Sequence, residues 1–271
     1  MKIFKQIFDF YLNSSIHVGM SCYALVRITQ QLFEIPFDAS MSYFAFFGTI
    51  VGYNFVKYDA MARSQKVQMS NQLKGIAFLS SIALGFTMFN FFQMEKITKF
   101  VALFFLILTL LYTLPFFPNK KNARNWAGVK IYIVALCWVG VTLFLPVINA
   151  QRQIDLTIIF VAIQRFILIF VLILIFEIID LRFDDPHLKT VPQQIGVNQT
   201  KILGSVLLLV FILMEFLNCN FNYVTFFLKL GIAIVVLFFL FFSDEKRSKY
   251  YTSFWVESIP IFWCVLIVVL K

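Results

Sequence analysis

Residues 156–196 read LTIIFVAIQRFILIFVLILIFEIIDLRFDDPHLKTVPQQIG. The first half is an apolar run long enough to cross a bilayer, since about 20 such residues span roughly 30 Å of hydrocarbon. The second half crowds Glu177, Asp180, Asp184 and Asp185 at the end of that run, with His187, Lys189 and Pro192 directly behind. Carboxylates are expensive near hydrocarbon. A cluster of them at one membrane face therefore requires a partner.

The rest of the chain is built for lipid. Of its 271 residues 61% are hydrophobic and 14% charged, the mean hydropathy is +0.84, and 36 residues are Phe. Soluble domains carry about a quarter charged residues. Nine apolar stretches can be marked, at 15–34, 38–56, 73–93, 97–117, 130–149, 156–179, 201–217, 222–243 and 252–270. They leave no room for a separate soluble domain. The expected fold is all-α: one polytopic membrane domain over residues 1–271, with nine transmembrane helices bundled together.

The net charge of +9 does not point to nucleic acid, because the basic residues follow a topological rule. With the N-terminus in the cytoplasm and nine crossings, sixteen Lys and Arg fall on the cytoplasmic side and four (Lys96, Lys99, Arg152, Lys271) on the other. That asymmetry is the positive-inside pattern of an N-in, C-out protein. Asp9 breaks the apolar run of residues 1–14 and no A-x-A-like site follows, so no cleavable signal peptide is expected. The cysteines Cys22, Cys137, Cys219 and Cys264 lack CxxC or CxxH spacing and read as small apolar residues. In this topology the long loops, 57–72 and 180–200 above all, face the cytoplasm, and that is where chemistry is expected.

If the sixth helix continues past the membrane surface, Asp180 and Asp184 stand at i and i+4 on one face, with Glu177 one turn before them. Such a column of hard oxygen ligands suits Mg²⁺, which is held by one or two carboxylates plus substrate phosphates. Pro192 and Gly196 are expected to end any helix, letting Lys189 return towards the acids. A solvated helix end, its acids balanced by Arg182 and Lys189, is the alternative reading of the same residues.

The order of residues adds to this. Asp180-Leu-Arg-Phe-Asp184-Asp185, followed by Lys189-Thr190-Val-Pro192 and Gly196, resembles the second aspartate-rich motif of the UbiA superfamily of intramembrane prenyltransferases. The span count, the topology and the place of the motif after span six agree with that family along essentially the whole chain. The resemblance implies helices around a central cavity, with a metal-binding mouth at the cytoplasmic face. It implies that Mg²⁺ bridges Asp180 and Asp184, with Asp185 and Glu177 in support, to the diphosphate of a polyprenyl diphosphate. The prenyl group would pass to a lipid-soluble, aromatic acceptor. The implied location is a bacterial cytoplasmic membrane, amid membrane lipids.

The family's first motif, NDxxDxxxD after span two, is reduced here. Gly52-Tyr53-Asn54-Phe55-Val56-Lys57-Tyr58-Asp59 keeps the leading Asn54, but Phe55, Tyr58 and Ala62 stand where acids are expected, and Asp59 comes one residue late. Asn54 and Asp59 are therefore the expected remnant of the first metal site, and Lys57, Arg63, Lys66 and Lys189 the expected diphosphate contacts. Glu257, early in span nine, is a further candidate for the mouth. Arg27, Arg165 and Lys229 fall inside spans with Glu215 at a similar depth, a pattern of structural pairing; His17 reads as a hydrogen-bonded structural residue. Two alternatives stay open at this level: a non-enzymatic lipid-binding protein or ion-coupled transporter, and a terpene cyclase of the same superfamily.

Overall fold

The computed structural model describes residues 2–63, 70–114, 128–217 and 221–270, with side chains throughout except at 2 and 59–63. Among these residues the secondary structure is helical, with no strand. The helices are α1 (Lys2–Asn13), α2 (Ile16–Leu32), α3 (Ala39–Arg63), α4 (Asn71–Gln93) and α5 (Lys96–Thr113). They continue with α6 (Lys130–Asn149), α7 (Leu156–Asp180), α8 (Val191–Leu217), α9 (Tyr223–Phe241) and α10 (Tyr251–Leu270). The seven from α4 to α10 are long and apolar enough to cross a membrane. The first two stretches marked in the sequence form α2 and α3, which are not among those seven. The class expected from the sequence, an all-α polytopic membrane protein, is the class observed.

Helix α7 is the axis of the bundle. It is the most apolar span, and 72% of its most apolar window is buried. It packs against α6, α8, α9 and α10; Leu168, Val171, Ile175 and Ile178 are buried in one cluster of that packing, and Leu174 in another with Ile131 of α6. The outer helices invert the soluble pattern: Phe78, Phe89, Phe100, Phe104, Phe227 and Phe238 are exposed apolar rings suited to lipid. Hydropathy cannot separate the two cases, because lipid tails are as apolar as the bundle interior.

Helix α1 precedes the first apolar stretch of the sequence. Its exposed Ile3, Phe4 and Ile7 lie on one side, while Asp9 and Tyr11 turn towards the bundle. Its end is fixed by α3, where Tyr58 Oη donates to Asn13 O at 2.9 Å and Asn54 Nδ2 to Ser14 O at 3.0 Å. At the opposite end of the bundle Asn149 ties two further segments to α6, accepting the Glu95 N–H at 3.0 Å and donating to Asp38 Oδ2 at 2.5 Å.

Proline bends α6. Pro146 has no N–H, so the carbonyl four residues before it, Thr142 O, is released from the helix. The helix widens there into a π segment, Gly140–Phe144. Thr29 Oγ1 donates to the freed carbonyl at 2.7 Å, and Arg165 Nη1 reaches Thr142 Oγ1 at 3.0 Å and Leu25 O at 3.2 Å. The intramembrane Arg165 thus knits α2, α6 and α7 together; its Nη2 has no hydrogen-bond partner among the described residues. Gly140 admits the ring of Phe105 against the same segment, where a Cβ would stand 2.0 Å from Phe105 Cζ.

The pairing expected for Glu215 is present. Lys229 Nζ meets Glu215 Oε2 at 2.5 Å and Gln164 Oε1 at 2.9 Å, and Gln164 Nε2 returns to Glu215 at 3.0 Å. All three side chains are buried. Arg27 donates to Gln30 Oε1 at 2.6 Å and lies over the Phe37 ring. His17 is bonded on both ring nitrogens, to Tyr11 Oη at 2.7 Å and to Phe254 O and Ser258 Oγ at 3.0 Å. Cys22, Cys137 and Cys264 are free thiols, and Cys219 lies outside the described residues.

Candidate active site

The acidic end of α7 is built by three segments. Helix α7 stops at Asp180, yet Asp184 N–H still donates to Asp180 O at 2.9 Å. One further helical turn is therefore closed, and Asp184 follows Asp180 around it as the i, i+4 spacing anticipates. Asp185 then caps the short turn Pro186–Leu188, its Oδ1 accepting the His187 N–H at 2.9 Å. Lys189 takes a left-handed backbone (φ 45°) that turns the chain into α8.

Helix α8 begins where the sequence suggested an ending. Pro192 stands in its first turn, where a missing N–H costs nothing. Gln193 Oε1 accepts the Thr190 N–H at 3.0 Å, and Glu177 Oε2 accepts the Val191 N–H at 3.1 Å. Glu177 is buried, and its carboxylate ties the end of α7 to the positive start of α8. Gly196 does interrupt the helix, but as a kink inside it: its φ of 81° and ψ of 160° are open only to glycine.

The third segment brings a residue that the sequence reading used only for topology. Gly128 N–H donates to Leu188 O at 3.2 Å, which sets the start of α6 against the acidic turn. Lys130, the first residue of α6, places Nζ 3.7 Å from Asp184 Oδ2 and acts electrostatically on Glu177 and Asp180. Nothing in the local sequence marks this pairing, because 54 residues separate Lys130 from Asp184. Asp184 Oδ2 is itself buried and has no hydrogen-bond partner among the described residues. That oxygen stands beside the Lys130 ammonium and within electrostatic reach of the Asp180 carboxylate. Lys189, expected to return to the acids, is exposed at the turn, with no partner of its ammonium among the described residues.

The first-motif residues lie on α3, where Asn54 Oδ1 is buried with no hydrogen-bond partner among the described residues. Asn54 is buried and donates to Ser14 O at 3.0 Å and Ser80 Oγ at 2.9 Å, so its amide nitrogen holds α1, α3 and α4 together. The backbone of Asp59 and Arg63 is helical, but their side chains, like all of Lys66, lie outside the described residues. Lys57 is accessible on α3 and within electrostatic reach of Glu257 on α10. Among the described residues no group of three His, Cys, Asp or Glu side chains could by itself hold a metal ion. Asp180 and Asp184 fit the sparser donor set of Mg²⁺, in which phosphate and water supply the remaining oxygens.

Helices of membrane length with the carboxylates of Asp180 and Asp184 at one end define a polytopic membrane protein with an acidic mouth. Its fold is that of the UbiA homologues, as the sequence resemblance anticipated. A UbiA homologue from Archaeoglobus fulgidus superposes with a TM-score of 0.67 at 12% identity, over 96% of this chain and 98% of that one. A UbiA homologue from Aeropyrum pernix K1 in its apo form gives 0.67 at 12% identity, over 94% and 98%. The Archaeoglobus fulgidus homologue bound to GPP and Mg²⁺ gives 0.60 at 11% identity, over 96% and 98%. No family model and no curated protein sequence matches the chain.

Proposed function

We propose that this protein is an intramembrane prenyltransferase that takes a prenyl group from its diphosphate and gives it to a lipid-soluble acceptor, working at the cytoplasmic mouth of the bundle. The observation that carries the reading is the Asp180–Asp184 pair with its unsatisfied Oδ2, at the end of a bundle whose fold is shared with a homologue bound to GPP and Mg²⁺.

Asp180 and Asp184 would hold Mg²⁺, which when bound supplies positive charge to neutralise a leaving diphosphate. Lys130 adds an ammonium to the same mouth, 3.7 Å from Asp184 Oδ2, where it would also stabilise charge on a diphosphate. Glu177 keeps the start of α8 docked behind the pair. The C–O bond to the diphosphate breaks with its electron pair going to the diphosphate. The allylic carbon then bonds to the acceptor, which gives up a proton. The apolar interior of the bundle accommodates the prenyl chain, which explains why such chemistry would be housed in a membrane protein.

The ion-coupled transporter reading needs intramembrane charges free to engage a passing ion. Lys229 is paired with Glu215, and Arg165 serves carbonyl and hydroxyl oxygens of α2 and α6, which supports the enzyme reading instead.

The test uses the purified, reconstituted protein with Mg²⁺ and prenyl diphosphates of graded chain length. Diphosphate release that requires Mg²⁺ and is lost in Asp180→Asn/Asp184→Asn is the expected result. Release that needs no metal, or survives the double substitution, would reject the assigned roles; no release at any chain length would reject the enzyme.

A further inference from the structure

Helix α1 is a separate element from the span that follows it. Ser14 and Ser15 stand between α1 and α2, and Ser15 takes a left-handed backbone (φ 61°) that breaks the run. Within KIFKQIFDFYLN, Ile3 and Ile7 are four residues apart and Phe4 is three before Ile7, so the three share one side. They are 70%, 62% and 81% exposed in that order, so the bundle leaves this side uncovered. Lys5 and Asp9, also four apart, lie on another side of the helix.

The contacts of α1 fix the level at which the uncovered side lies. Asp9 Oδ1 accepts the Tyr250 O–H at 2.6 Å, and the Phe8 ring lies 5.8 Å from that of Tyr250 and 5.2 Å from that of Phe254. Phe10 packs on Gly75 near the start of α4, where a Cβ would stand 3.2 Å from Phe10 Cε2. Trp255, next to Phe254, and Phe78, three residues after Gly75, are both exposed. Exposed Trp is typical of the boundary between hydrocarbon and headgroups. The apolar side of α1 therefore adjoins surface already suited to lipid, at the ends of two spans.

Cations flank that surface. Lys5 on α1, Lys74 in the first turn of α4 and Lys249 just before α10 are all exposed. Lys249 Nζ lies 3.6 Å from Asp9 Oδ1, which Tyr250 already engages, while Lys5 and Lys74 form no ion pair with a described carboxylate. The other charges in the loop before α10, Asp244, Glu245, Lys246 and Arg247, balance in sign. An apolar helix side bordered by lysines is the pattern of a helix seated in a membrane interface and drawn to negative headgroups.

We infer that α1 is an interfacial helix: its Ile3–Phe4–Ile7 side enters the boundary between headgroups and acyl chains, and Lys5 and Lys74 beside it select anionic phospholipid. The inference stands independently of the prenyl-transfer reading. Apolar burial supplies the seat, whatever the headgroup. The lysines supply the preference, which depends on charge and is screened by salt.

The experiment compares the full-length protein in nanodiscs of phosphatidylcholine alone and of phosphatidylcholine with about one-third phosphatidylglycerol, at one pH and low salt. Amide protection of residues 3–8 is measured by mass spectrometry, with Ile259–Leu270 in the same samples as the check on an intact bundle. Protection of α1 should be about tenfold or more higher with the anionic lipid, the scale of two lysines near a charged surface. About 1 M salt should erase that gain. Lys5→Gln/Lys74→Gln should erase it too, leaving protection in phosphatidylcholine unchanged. Ile3→Ala/Phe4→Ala/Ile7→Ala, which keeps helix propensity, should lower protection in both lipids.

Equal protection of the wild type in the two lipids overturns the selection of anionic phospholipid, and this comparison decides even where a variant fails to fold. Protection that survives loss of the three apolar side chains overturns the interfacial seat. Protection that follows the ratio of protein to lipid, and not headgroup charge, assigns the side to a second copy of the chain and overturns the inference.

Discussion

Lys130 Nζ stands 3.7 Å from Asp184 Oδ2, joining the first residue of α6 to the acidic turn after α7. Both side chains are partly accessible, at 21% and 17%. Exposed pairs of this kind contribute little to stability, typically about 0–1 kcal/mol. Its value lies in placing a cation where a diphosphate is proposed to bind. Lys130→Met should leave thermal unfolding in detergent nearly unchanged while raising the KM for prenyl diphosphate about tenfold or more, the scale of one lost charge-assisted hydrogen bond. Lys130→Arg should keep most of the affinity. A Lys130→Met enzyme with wild-type KM would show that the ammonium only balances Asp184.

The Lys229–Glu215–Gln164 cluster makes the opposite case, since it is buried and its three side chains are hydrogen-bonded to one another. Removing one ion leaves the other uncompensated, at a cost of about 3–5 kcal/mol, whereas replacing both with apolar residues is often neutral. Lys229→Met and Glu215→Leu should each lower the unfolding midpoint sharply, and the double substitution should recover most of the loss. Additive losses would mean that the ions do not depend on each other.

Two glycines are set by geometry. At Gly196 (φ 81°, ψ 160°) any side chain is strained, so Gly196→Ala should cost about 1–3 kcal/mol and shift the start of α8 that Glu177 caps. At Gly140 the obstacle is Phe105, and Gly140→Val should cost a similar amount, about 1–3 kcal/mol, by overpacking. Adding Phe105→Ala should relieve the cost of Gly140→Val and leave that of Gly196→Ala untouched; denaturant unfolding of each glycine variant with and without Phe105→Ala checks both.

The attachment of α1 should depend on pH. Asp9 Oδ1 accepts the Tyr250 O–H at 2.6 Å and lies 3.6 Å from Lys249 Nζ. The Tyr250 hydrogen bond first, then the nearby lysines, hold the Asp9 carboxyl below its usual range. A lowered carboxyl stabilises the docked state above its unfolded value of about 3.9 and loses that contribution as pH falls through the folded value. Amide protection in Lys2–Asn13, taken relative to intrinsic exchange at each pH, should therefore fall on acidification below about pH 4, and Asp9→Asn should remove the dependence. Protection that is flat with pH in the wild type would show that α1 is held by its apolar contacts alone.

The sequence by itself determined the class of fold and the acidic turn. Long apolar runs must become helices in lipid, where every backbone group needs an internal partner. The spacing from Asp180 to Asp184 fixes one shared turn whatever surrounds it. Glu215 could be matched with an intramembrane cation because a buried charge demands one. Other features were beyond its reach. Residues 2–13 gave no span, since an amphipathic helix lying against a bundle leaves no long apolar run. Pro192 read as a stop although it starts α8, because proline suits the first turn of one helix as well as the end of another.

Only the tertiary structure decided which groups share the mouth. Asn54, which the motif suggested as a ligand, spends its amide nitrogen on Ser14 and Ser80 and leaves its Oδ1 without a hydrogen-bond partner among the described residues, while Lys130 reaches Asp184 from a helix far along the chain. The reason is physical. Spacing along one helix sets which side chains share its face, but pairing across helices depends on how the rods rotate against one another. In a bundle where inside and outside are equally apolar, hydropathy carries no record of that rotation. Packing and the few polar anchors, Pro146 with Arg165 and Glu177 with Val191, set it instead.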